Sequence, residues 1–344
     1  MIKVGIVGAT GYTGIELIRI LDAHPAVEIH VVTSDSERDK AIAEVFPVFS
    51  HLEDLKFSAH DTDALLACEI IFFATPHTIA MSLVPRLLDG GRRIIDLSAD
   101  FRLKDPDIWK EWYGVEHSCP DLLNNAVYGL TELNREAIKN ADLVANPGCY
   151  PTSIALALIP SLKHGLIVPN SIVADAKSGV SGAGRKAVLG GLHAEVSESF
   201  KAYAVAGHRH LPEIQQTLNL CTDLETTITF VPHLVPMNRG ILSTIYVQCL
   251  DTDTDWQKIY EQFYDAEHFV QILSTGIMPE TRQVRGSNYC QIGIQPNVQS
   301  TSTIVIVSAI DNLVKGAAGQ AVQNMNLMLG IEESMGLLTS ALVP

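Results

Sequence analysis

The sequence predicts an α/β protein with a parallel-sheet N-terminal domain and an α+β second domain whose sheet is mixed or antiparallel. Short apolar strands alternate with helical stretches in the first part of the chain, and longer alternating strands follow in the second. The chain has 344 residues, 47% of them hydrophobic. That is enough to build two domains with separate cores.

The first part of the chain reads as strand, helix, strand in repeated order. The predicted strands are KVGIVGA, VEIHVVTS, the end of DALLACEIIFFATP, and RRIIDLSADF. Between them GIELIRILDAHP and TIAMSLVPRLLDGG have apolar residues at helical spacing, and a short helix opens DALLACEIIFFATP. This order predicts a mostly parallel sheet with right-handed crossovers.

The second part changes in texture. NSIVADAKSGVSGAG, TTITFVPHLVPM, GILSTIYVQCL and TSTIVIVSAI read as longer strands, and DWQKIYEQFYDAE as a helix between two of them. The last stretch, DNLVKGAAGQAVQNMNLMLGI, places Leu313, Ala317, Ala321 and Met325 four residues apart, which predicts one long helix.

Composition excludes several classes of function. A formal net charge of −15 disfavours nucleic acid and anionic membranes as partners, because both need clustered lysine and arginine. The N-terminus lacks the order of a secretory signal, and no apolar run reaches membrane-spanning length, so we expect a cytoplasmic protein. The six cysteines form no C-x-x-C or zinc-type spacing, which predicts free thiols and no metal site.

A glycine-rich loop follows the first strand and precedes the first helix. GIVGATGYTGIEL places Gly8, Gly11 and Gly14 there, in a G-x-x-G-x-x-G pattern. Glycines let the backbone approach a pyrophosphate, and the helix N-terminus offers N–H groups to it. We therefore predict a Rossmann-type dinucleotide site; a glycine-rich turn without a ligand is the alternative.

The segment after the second strand bears on which dinucleotide binds. In TSDSERDK, residues 33–40, Asp35 could accept a hydrogen bond from the ribose of NAD, while Ser34, Ser36 and Arg38 could hold the 2′-phosphate of NADP. The residues alone leave both cofactors open.

Cys149 is the strongest candidate nucleophile. In NPGCYPT, Pro151 suits the first turn of a helix and TSIALALI continues it, so Cys149 is expected just before a helix N-terminus. The helix dipole and free N–H groups there stabilise a thiolate and could hold an oxyanion. The alternative is a buried structural thiol, but such cysteines lie inside apolar runs, as Cys68 and Cys249 do.

A cysteine nucleophile needs an acid/base partner, and VAGHRHLPEI offers His208 and His210 on either side of Arg209. A solvated loop is the alternative. The following histidines are expected to be surface or strand residues: His24, His30, His51, His60 and His164.

Two further arginines stand near predicted ligand sites. Arg185 follows the second glycine loop in KSGVSGAGRK, and Arg102 ends DLSADFR at the carboxyl end of a predicted parallel strand. Ligands of doubly wound sheets bind at that end. An ordinary surface arginine is the alternative for Arg102.

These residues converge on a family. The chain closely resembles the N-acetyl-γ-glutamyl-phosphate reductases, the arginine-pathway members of a superfamily that includes aspartate-semialdehyde dehydrogenase. The resemblance runs essentially end to end. It rests on the order of GATGYTGIEL, FFATPH, DLSADFRL, YGLTEL, NPGCYPT, SGVSGAGRK, AGHRHLPEI and DNLVKGAAGQAVQNMN, with the block around Cys149 the most specific.

The resemblance implies the reaction and the roles of its residues. An acyl phosphate would be reduced by NADPH to an aldehyde with release of phosphate, through a thioester on Cys149. His208 matches the acid/base histidine best, and His210 is kept as a substrate ligand and a rival for that role. Arg102 and Arg185 are the other implied substrate ligands.

The resemblance also favours NADP over NAD. The implied cofactor ligands are Gly8, Thr10, Gly11, Tyr12, Thr13, Gly14, Ser34, Arg38, Pro76, Ser181, Gly182 and Asn312. The final helix would return to the cofactor domain. The implied domains are residues 1–148 with 313–344 for NADP binding, and 149–312 for catalysis and for assembly into a homodimer or homotetramer.

Two other functions are alternatives to this one. A related reductase acting on aspartyl phosphate, or on aminoadipyl phosphate held by an acidic carrier protein, uses the same thiol chemistry; the charge of −15 argues against docking an acidic carrier. A dinucleotide-binding regulator without catalysis would be expected to lack Cys149 or His208, and both are present.

Overall fold

The computed structural model describes residues 1–296 and 302–343, and the chain forms two compact units. The first unit consists of Met1–Pro147 and Ala317–Leu338. The second consists of Gly148–Gly316 and the tail after Leu338. Each unit contains one seven-stranded sheet.

The sheet of the first unit is parallel throughout. Its strands are β1 (Ile2–Val7), β2 (Val27–Thr33), β3 (Phe57–Ser58), β4 (Ile70–Phe73), β5 (Arg93–Asp96), β6 (Val127–Tyr128) and β7 (Leu143–Ala145). They lie in the order β3-β2-β1-β4-β5-β7-β6. The predicted parallel sheet is confirmed. Because the order reverses beside β1, a crevice opens at the carboxyl ends of β1 and β4, where ligands of such sheets bind.

The helices of this part of the chain are α1 (Tyr12–Asp22), α2 (Ile42–Val45), α3 (Ala80–Asp89), α4 (Pro106–Tyr113), α5 (Asp121–Asn125) and α6 (Thr131–Lys139). One core cluster buries Cys68, Phe73, Val84, Phe101 and Trp109 between strands and helices. Cys68 is thus the structural thiol that its apolar run predicts. Residues 46–58 contain a 3₁₀ helix (Pro47–Leu52) and β3.

The sheet of the second unit is mixed, as predicted. Its strands are β8 (Ile172–Gly179), β9 (Lys201–Ala202), β10 (Ile228–Val235), β11 (Ile241–Gln248), β12 (Val270–Ile272), β13 (Cys290–Pro296) and β14 (Thr303–Ile310). Their order is β12-β13-β14-β11-β8-β10-β9. The strands β8 and β10 run parallel, whereas β11 is antiparallel to both β8 and β14. The sequence did not predict β13.

The helices of this unit are α7 (Cys149–Lys163), α8 (His193–Val196), α9 (Leu211–Asn219) and α10 (Trp256–Tyr264). Helix α7 is buried along almost its whole length. The Ser153 hydroxyl lies 2.9 Å from that of Ser243 on β11 and 2.7 Å from that of Ser308 on β14. These contacts fix α7 on one face of the sheet, since buried hydroxyls need partners.

The prediction of one long C-terminal helix is correct except for its first turn, which is π-helical. A π-helical turn, Val314–Ala318, precedes α11 (Gly319–Met328). The two units divide inside this turn, between Gly316 and Ala317. Helix α11 buries polar side chains in the first unit: Gln320 and Asn324 both donate to the carbonyl of Gly129, at 3.0 and 2.8 Å. None of the described helices is long and apolar enough to cross a membrane.

Candidate active site

The glycine loop of the first unit is packed against the end of β4. Gly8 has a φ of 85°, and a Cβ there would lie 2.6 Å from the carbonyl oxygen of Ala74. A Cβ on Gly14 would lie 2.4 Å from the carbonyl oxygen of Gly8. Neither position tolerates a side chain, whereas a Cβ on Gly11 would make ordinary contacts. The loop therefore has the tight turn that close backbone approach to a ligand requires.

The loop leads into the N-terminus of α1. Within the described residues, the N-cap Gly11 offers no side-chain acceptor and the first turn holds no acidic residue. Tyr12, Thr13 and Gly14 thus begin a helix whose first N–H groups have no partner within the helix. Such an end can hold a pyrophosphate through hydrogen bonds and the helix dipole.

Three hydroxyls form a row beyond the end of β2. The Oγ1 of Thr10 lies 3.0 Å from the Oγ of Ser34, which lies 3.3 Å from the Oγ of Ser36. Ser34 is only 2% exposed, so its hydroxyl serves mainly within the row. Arg38 is exposed, with its Nη2 3.6 Å from Oδ1 of Asp35. Of the predicted phosphate ligands, the structure thus brings Ser36 and Arg38 to the surface.

The loop that carries Pro76 is held in an uncommon conformation. Thr78 has a φ of 79°, which is costly for a β-branched residue. The buried carboxylate of Asp100 accepts hydrogen bonds from the backbone N–H of Thr78 (2.8 Å) and of Met81 (3.0 Å). Asp100 therefore caps α3 from another segment and stabilises the loop. In DLSADFR only Arg102 was predicted to be functional, so the role of Asp100 was missed.

Arg102 is not a surface residue, being 8% exposed. Its Nε donates to the carbonyl oxygen of Asn146 and its Nη2 to that of Leu97, both at 2.8 Å. It thereby ties the segment after β5 to the segment after β7. Nearby, burial and the carboxylate of Asp100 raise the pKa of Asp96 to about 7, against the lowering influence of Ser98 and Arg102.

In the second unit, Cys149 is the first residue of α7, one position further into the helix than predicted. Gly148 is the N-cap. Its carbonyl oxygen accepts hydrogen bonds of 3.0 Å from both the backbone N–H and the hydroxyl of Thr152. Its own N–H donates to Oε1 of Glu213 at 2.7 Å. Cys149 is half-buried, consistent with a thiol at the edge of a site rather than in a core.

Glu213 is a residue that sequence reasoning missed. It is 1% exposed and lies in the first turn of α9, directly after the His208–His210 segment. A buried carboxylate is costly unless hydrogen-bonded, and here the backbone before Cys149 supplies a bond. The PEI triplet in VAGHRHLPEI was the only available signal.

The backbone of Cys149 is approached closely by Gly316 in the π-helical turn. A Cβ on Gly316 would lie 2.8 Å from the Cβ of Cys149 and 3.2 Å from its Cα. The π turn and the glycine together let the two segments pack. π-Helical turns are frequent at functional sites.

His208 is enclosed and has a defined tautomer. Its Nδ1 accepts a hydrogen bond of 3.0 Å from the backbone N–H of His210, so the proton of the neutral ring is on Nε2. Burial, followed by the charge of Arg209, lowers the pKa of His208 to about 4. The ring is therefore neutral near pH 7 and acts as a hydrogen-bond donor through Nε2.

Two tyrosines continue from this imidazole. The Nε2 of His208 lies 3.5 Å from Oη of Tyr203. The Tyr203 hydroxyl donates to Oη of Tyr150 at 3.3 Å, and the Tyr150 hydroxyl donates to the carbonyl of His233 at 3.2 Å. The pKa of Tyr203 is raised to about 12, mainly by burial and in part by the neighbouring Cys149, against the lowering influence of the hydrogen bond with Tyr150. The ring of His210 lies 4.9 Å from that of His208 and 5.9 Å from that of Tyr150. The structure brings both predicted histidines together with the residue after Cys149.

The second glycine loop is fixed by Asn312. Its Nδ2 donates to Oγ of Ser181 at 3.0 Å, and its Oδ1 accepts the N–H of Gly240 at 2.8 Å. A Cβ on Gly182 would lie 2.9 Å from Oγ of Ser178. Three predicted cofactor ligands, Ser181, Gly182 and Asn312, thus lie together, while Arg185 lies on the exposed part of the loop.

Comparison with known proteins identifies the family of the chain. Residues 3–141 match the family model of the semialdehyde dehydrogenase NAD binding domain, and residues 149–312 match that of the semialdehyde dehydrogenase dimerisation domain. N-acetyl-γ-glutamyl-phosphate reductase of Ectopseudomonas mendocina is 54% identical over 345 residues, covering 100% of both chains. The corresponding enzyme of Marinobacter nauticus is 53% identical over 348 residues, again covering 100% of both.

The chain belongs to the N-acetyl-γ-glutamyl-phosphate reductase family. Solved structures extend this to the fold. Aspartate semialdehyde dehydrogenase II of Vibrio cholerae, complexed with ASA, has a TM-score of 0.72 at 16% identity, covering 96% of this chain and 98% of that chain. The enzyme of Candida albicans with NADP has the same TM-score, identity and coverage. The reductase family thus shares its fold with the aspartate-semialdehyde dehydrogenases.

Proposed function

We propose that this chain reduces N-acetyl-γ-glutamyl phosphate to N-acetylglutamate semialdehyde, with NADPH as reductant and inorganic phosphate as the released group. The observation that carries the proposal is Cys149 at the first position of α7, half-buried and with the backbone before it tied to Glu213. Reductases of this name that are 53–54% identical over the full chain give the substrate.

The thiolate of Cys149 attacks the acyl carbon. A C–S bond forms, the C–O bond to phosphate breaks, and a thioester and inorganic phosphate result. The first turn of α7 favours the thiolate through its dipole and offers N–H groups to the carbonyl oxygen as negative charge develops there. Arg102, Arg185 and His210 are the proposed anion-binding side chains for the substrate.

The residues fit a bound dinucleotide. Gly8 and Gly14 lie where a Cβ would meet backbone at 2.6 and 2.4 Å, and α1 begins between them, at Tyr12. Gly11, Tyr12 and Thr13 would meet the pyrophosphate, and Pro76, Ser181, Gly182 and Asn312 would serve the nicotinamide end. At the 2′-phosphate end the exposed Ser36 and Arg38 would meet the phosphate, while the buried Ser34, with Thr10, would orient Ser36 through the hydroxyl row. NADPH supplies the hydride that takes the thioester to the aldehyde level.

His208 serves as the acid/base. Its Nε2–H donates to the substrate oxygen while that oxygen gains negative charge, since the ring is neutral and its Nδ1 is held by the backbone of His210. The Oη of Tyr203 lies 3.5 Å from the same Nε2 and donates in turn to Tyr150. When the C–S bond breaks, Cys149 leaves as thiolate and the aldehyde forms. His210 is the rival for proton transfer.

The second unit is also the proposed oligomer interface. Helix α7 covers one face of its sheet; on the other face Val173 and Tyr246 are exposed and stand at paired register positions. On the same face Lys177 and His233 pair with Asp175 at 2.7 and 3.0 Å. Two such faces can pack on each other around a twofold axis to give a homodimer, and a homotetramer would need a second interface.

A reverse assay tests the proposed function. The protein is incubated with N-acetylglutamate semialdehyde, NADP and phosphate while NADPH absorbance is followed, with aspartate semialdehyde and NAD in parallel. We expect a phosphate-dependent signal with the acetylated aldehyde and NADP only. A signal with the aspartyl compound would assign the chain to the sister activity, and silence with every combination would refute thiol-dependent reduction.

A further inference from the structure

His60, which the sequence analysis expected to be a surface or strand residue, follows the edge strand β3. Strand β3 pairs in parallel with β2, with Val32 opposite Phe57 and Thr33 opposite Ser58. Residues that follow the two strands therefore emerge side by side. This brings His60 next to the Ser34–Ser36 segment.

Hydrogen bonds fix which nitrogen of His60 carries the proton. The fully buried hydroxyl of Thr33 accepts the N–H of Gly8 at 3.3 Å and lies 2.5 Å from Nδ1 of His60. The ionised carboxylate of Asp35 lies near Nε2 and can only accept, which favours the ring proton on that nitrogen, so the Thr33 hydroxyl donates its own proton to Nδ1. The neutral imidazole then carries its proton on Nε2.

That Nε2–H faces Asp35. The distance from Nε2 to Oδ2 of Asp35 is 3.6 Å, and the backbone N–H of His60 donates to Oδ1 of the same carboxylate at 3.4 Å. The Nη2 of Arg38 lies 3.6 Å from Oδ1 of this carboxylate. His60 and Arg38 thus place N–H groups beside both oxygens of the exposed Asp35 carboxylate.

This arrangement bears on cofactor choice. An acidic residue after the second strand accepts the ribose 2′-OH in NAD sites and repels a 2′-phosphate. Here that carboxylate faces His60 and Arg38, and the hydroxyl row of Thr10, Ser34 and Ser36 borders the same edge. This edge of the sheet is suited to a 2′-phosphate as long as the carboxylate of Asp35 stays beside His60 and Arg38.

We propose that His60 is a positioning residue that selects NADP over NAD by holding the carboxylate of Asp35 away from the ribose 2′ position. The proposal rests on the proposed function, because it concerns the 2′ end of the same cofactor. The charged groups facing His60 are Asp35, Asp61 and Arg38. Burial, the largest influence, lowers the pKa of His60, so the ring is mostly neutral at pH 7.

The test is a double-mutant cycle on dinucleotide binding. His60→Asn keeps an acceptor for the Thr33 hydroxyl but removes the ring N–H that faces Asp35. Dissociation constants for NADPH and NADH are measured by titration calorimetry, without substrate, for the wild type, His60→Asn, Asp35→Asn and the double variant. His51→Asn is the matched control, since it removes another histidine–aspartate contact (2.8 Å to Asp22) that involves neither Asp35 nor Arg38.

We expect His60→Asn to lower the preference for NADPH over NADH by about five- to tenfold, mostly through weaker NADPH binding. Removing the carboxylate in His60→Asn/Asp35→Asn should restore NADPH affinity, a coupling that a merely structural role would not produce. His51→Asn should leave the ratio unchanged.

An unchanged ratio in His60→Asn, or no recovery in the double variant, would overturn the proposal. Because binding is measured without turnover, a wild type that binds NADPH but fails the reverse assay would refute the proposed function alone. If His60→Asn lowers the melting temperature, 2′-phospho-AMP and AMP are titrated at 10 °C as smaller probes of the same edge. An equal loss for both probes there would contradict selection by His60.

Discussion

The carboxylate of Glu213 accepts a hydrogen bond of 2.7 Å from the backbone N–H of Gly148, one residue before Cys149. A negative charge near a thiol raises its pKa, so this contact opposes thiolate formation rather than promoting it. Its value must be geometric. It joins the helix that begins with Cys149 to the helix that follows the His208–His210 loop.

Two substitutions of Glu213 should separate the effect of its hydrogen bond to Gly148 from the effect of its charge on Cys149. Glu213→Gln keeps an oxygen acceptor for Gly148, so we expect kcat/KM to fall by less than about tenfold and the pH profile of Cys149 alkylation to move to lower pH. Glu213→Ala loses the acceptor and should cost about 1–3 kcal/mol of unfolding free energy. Iodoacetamide kinetics and thermal melts measure both.

Glu136→Gln, a change at an exposed glutamate paired with Lys139, is the control and should alter neither quantity. A Glu213→Gln alkylation profile that moved to higher pH would contradict the electrostatic sign given above.

Cys149→Ser should abolish turnover while leaving the fold intact. A hydroxyl at that position is a far weaker nucleophile near pH 7, so we expect kcat to fall by at least about 10³-fold with NADPH binding and melting temperature unchanged. Cys119→Ser is the matched control, because burial raises the pKa of that partly exposed thiol to about 11. Wild-type rates from Cys149→Ser would refute the nucleophile.

Gly316→Ala should impair catalysis through packing alone. The added Cβ would lie 2.8 Å from the Cβ of Cys149, so either α7 or the π turn must move by several tenths of an ångström. We expect kcat to fall by about 10²-fold, since small misplacements of a nucleophile are costly. Gly190→Ala, where the nearest atom is 3.9 Å away, should be silent in the same assay.

His208 predicts a pH dependence of stability. Its folded-state pKa of about 4 is below the unfolded value of about 6.5, so the unfolded chain binds the proton more tightly and stability is lost as pH falls through that range. The shift corresponds to no more than about 3 kcal/mol.

The comparison of melting temperatures for the wild type and His208→Asn at pH 7.5 and pH 5 isolates this contribution. The asparagine variant should gain relative to the wild type at pH 5. An equal difference at both pH values would show that His208 is not buried as a neutral ring.

Asp100→Ala should weaken dinucleotide binding as well as stability. It removes the acceptor for the N–H groups of Thr78 and Met81 and leaves Thr78 at an unfavourable φ without support. We expect a loss of about 1–2 kcal/mol and an NADPH dissociation constant raised severalfold. Asp105→Ala removes a comparable cap from α4 and should cost stability only.

Much of the fold could be predicted because its signals are local. The apolar runs of β1, β4 and β5 and the glycine loop between β1 and α1 each specify themselves within a few residues. Strand β13 was missed because Gly293 interrupts its apolar pattern, although its partner β14 is the next strand in the chain. The π turn was missed because the sequence does not show the close contact of Gly316 with Cys149, a residue far away in the chain.

The candidate site likewise contains residues that local sequence signals predict and residues that they do not. Cys149 could be predicted from its neighbours in sequence, since NPGCYPT specifies a helix start. Glu213, Tyr203 and His60 could not, because each acts on residues distant in the chain. His24 was wrongly expected at a surface or in a strand: it is buried, with Nε2 3.1 Å from Oδ1 of Asn326, a residue 302 positions later.

The chain leaves the first unit at Pro147 and returns to it with Ala317, so that unit is completed only after Gly148–Gly316 has been synthesised. At about 5–20 residues per second, the ribosome spends roughly 10–30 s on the stretch between these points. During that interval the acceptors that α11 will satisfy, such as the carbonyl of Gly129, wait unoccupied by their final partners. Translation speed therefore sets how long the nascent N-terminal sheet is exposed to chaperones and proteases, and a stop codon before α11 would leave it permanently unfinished.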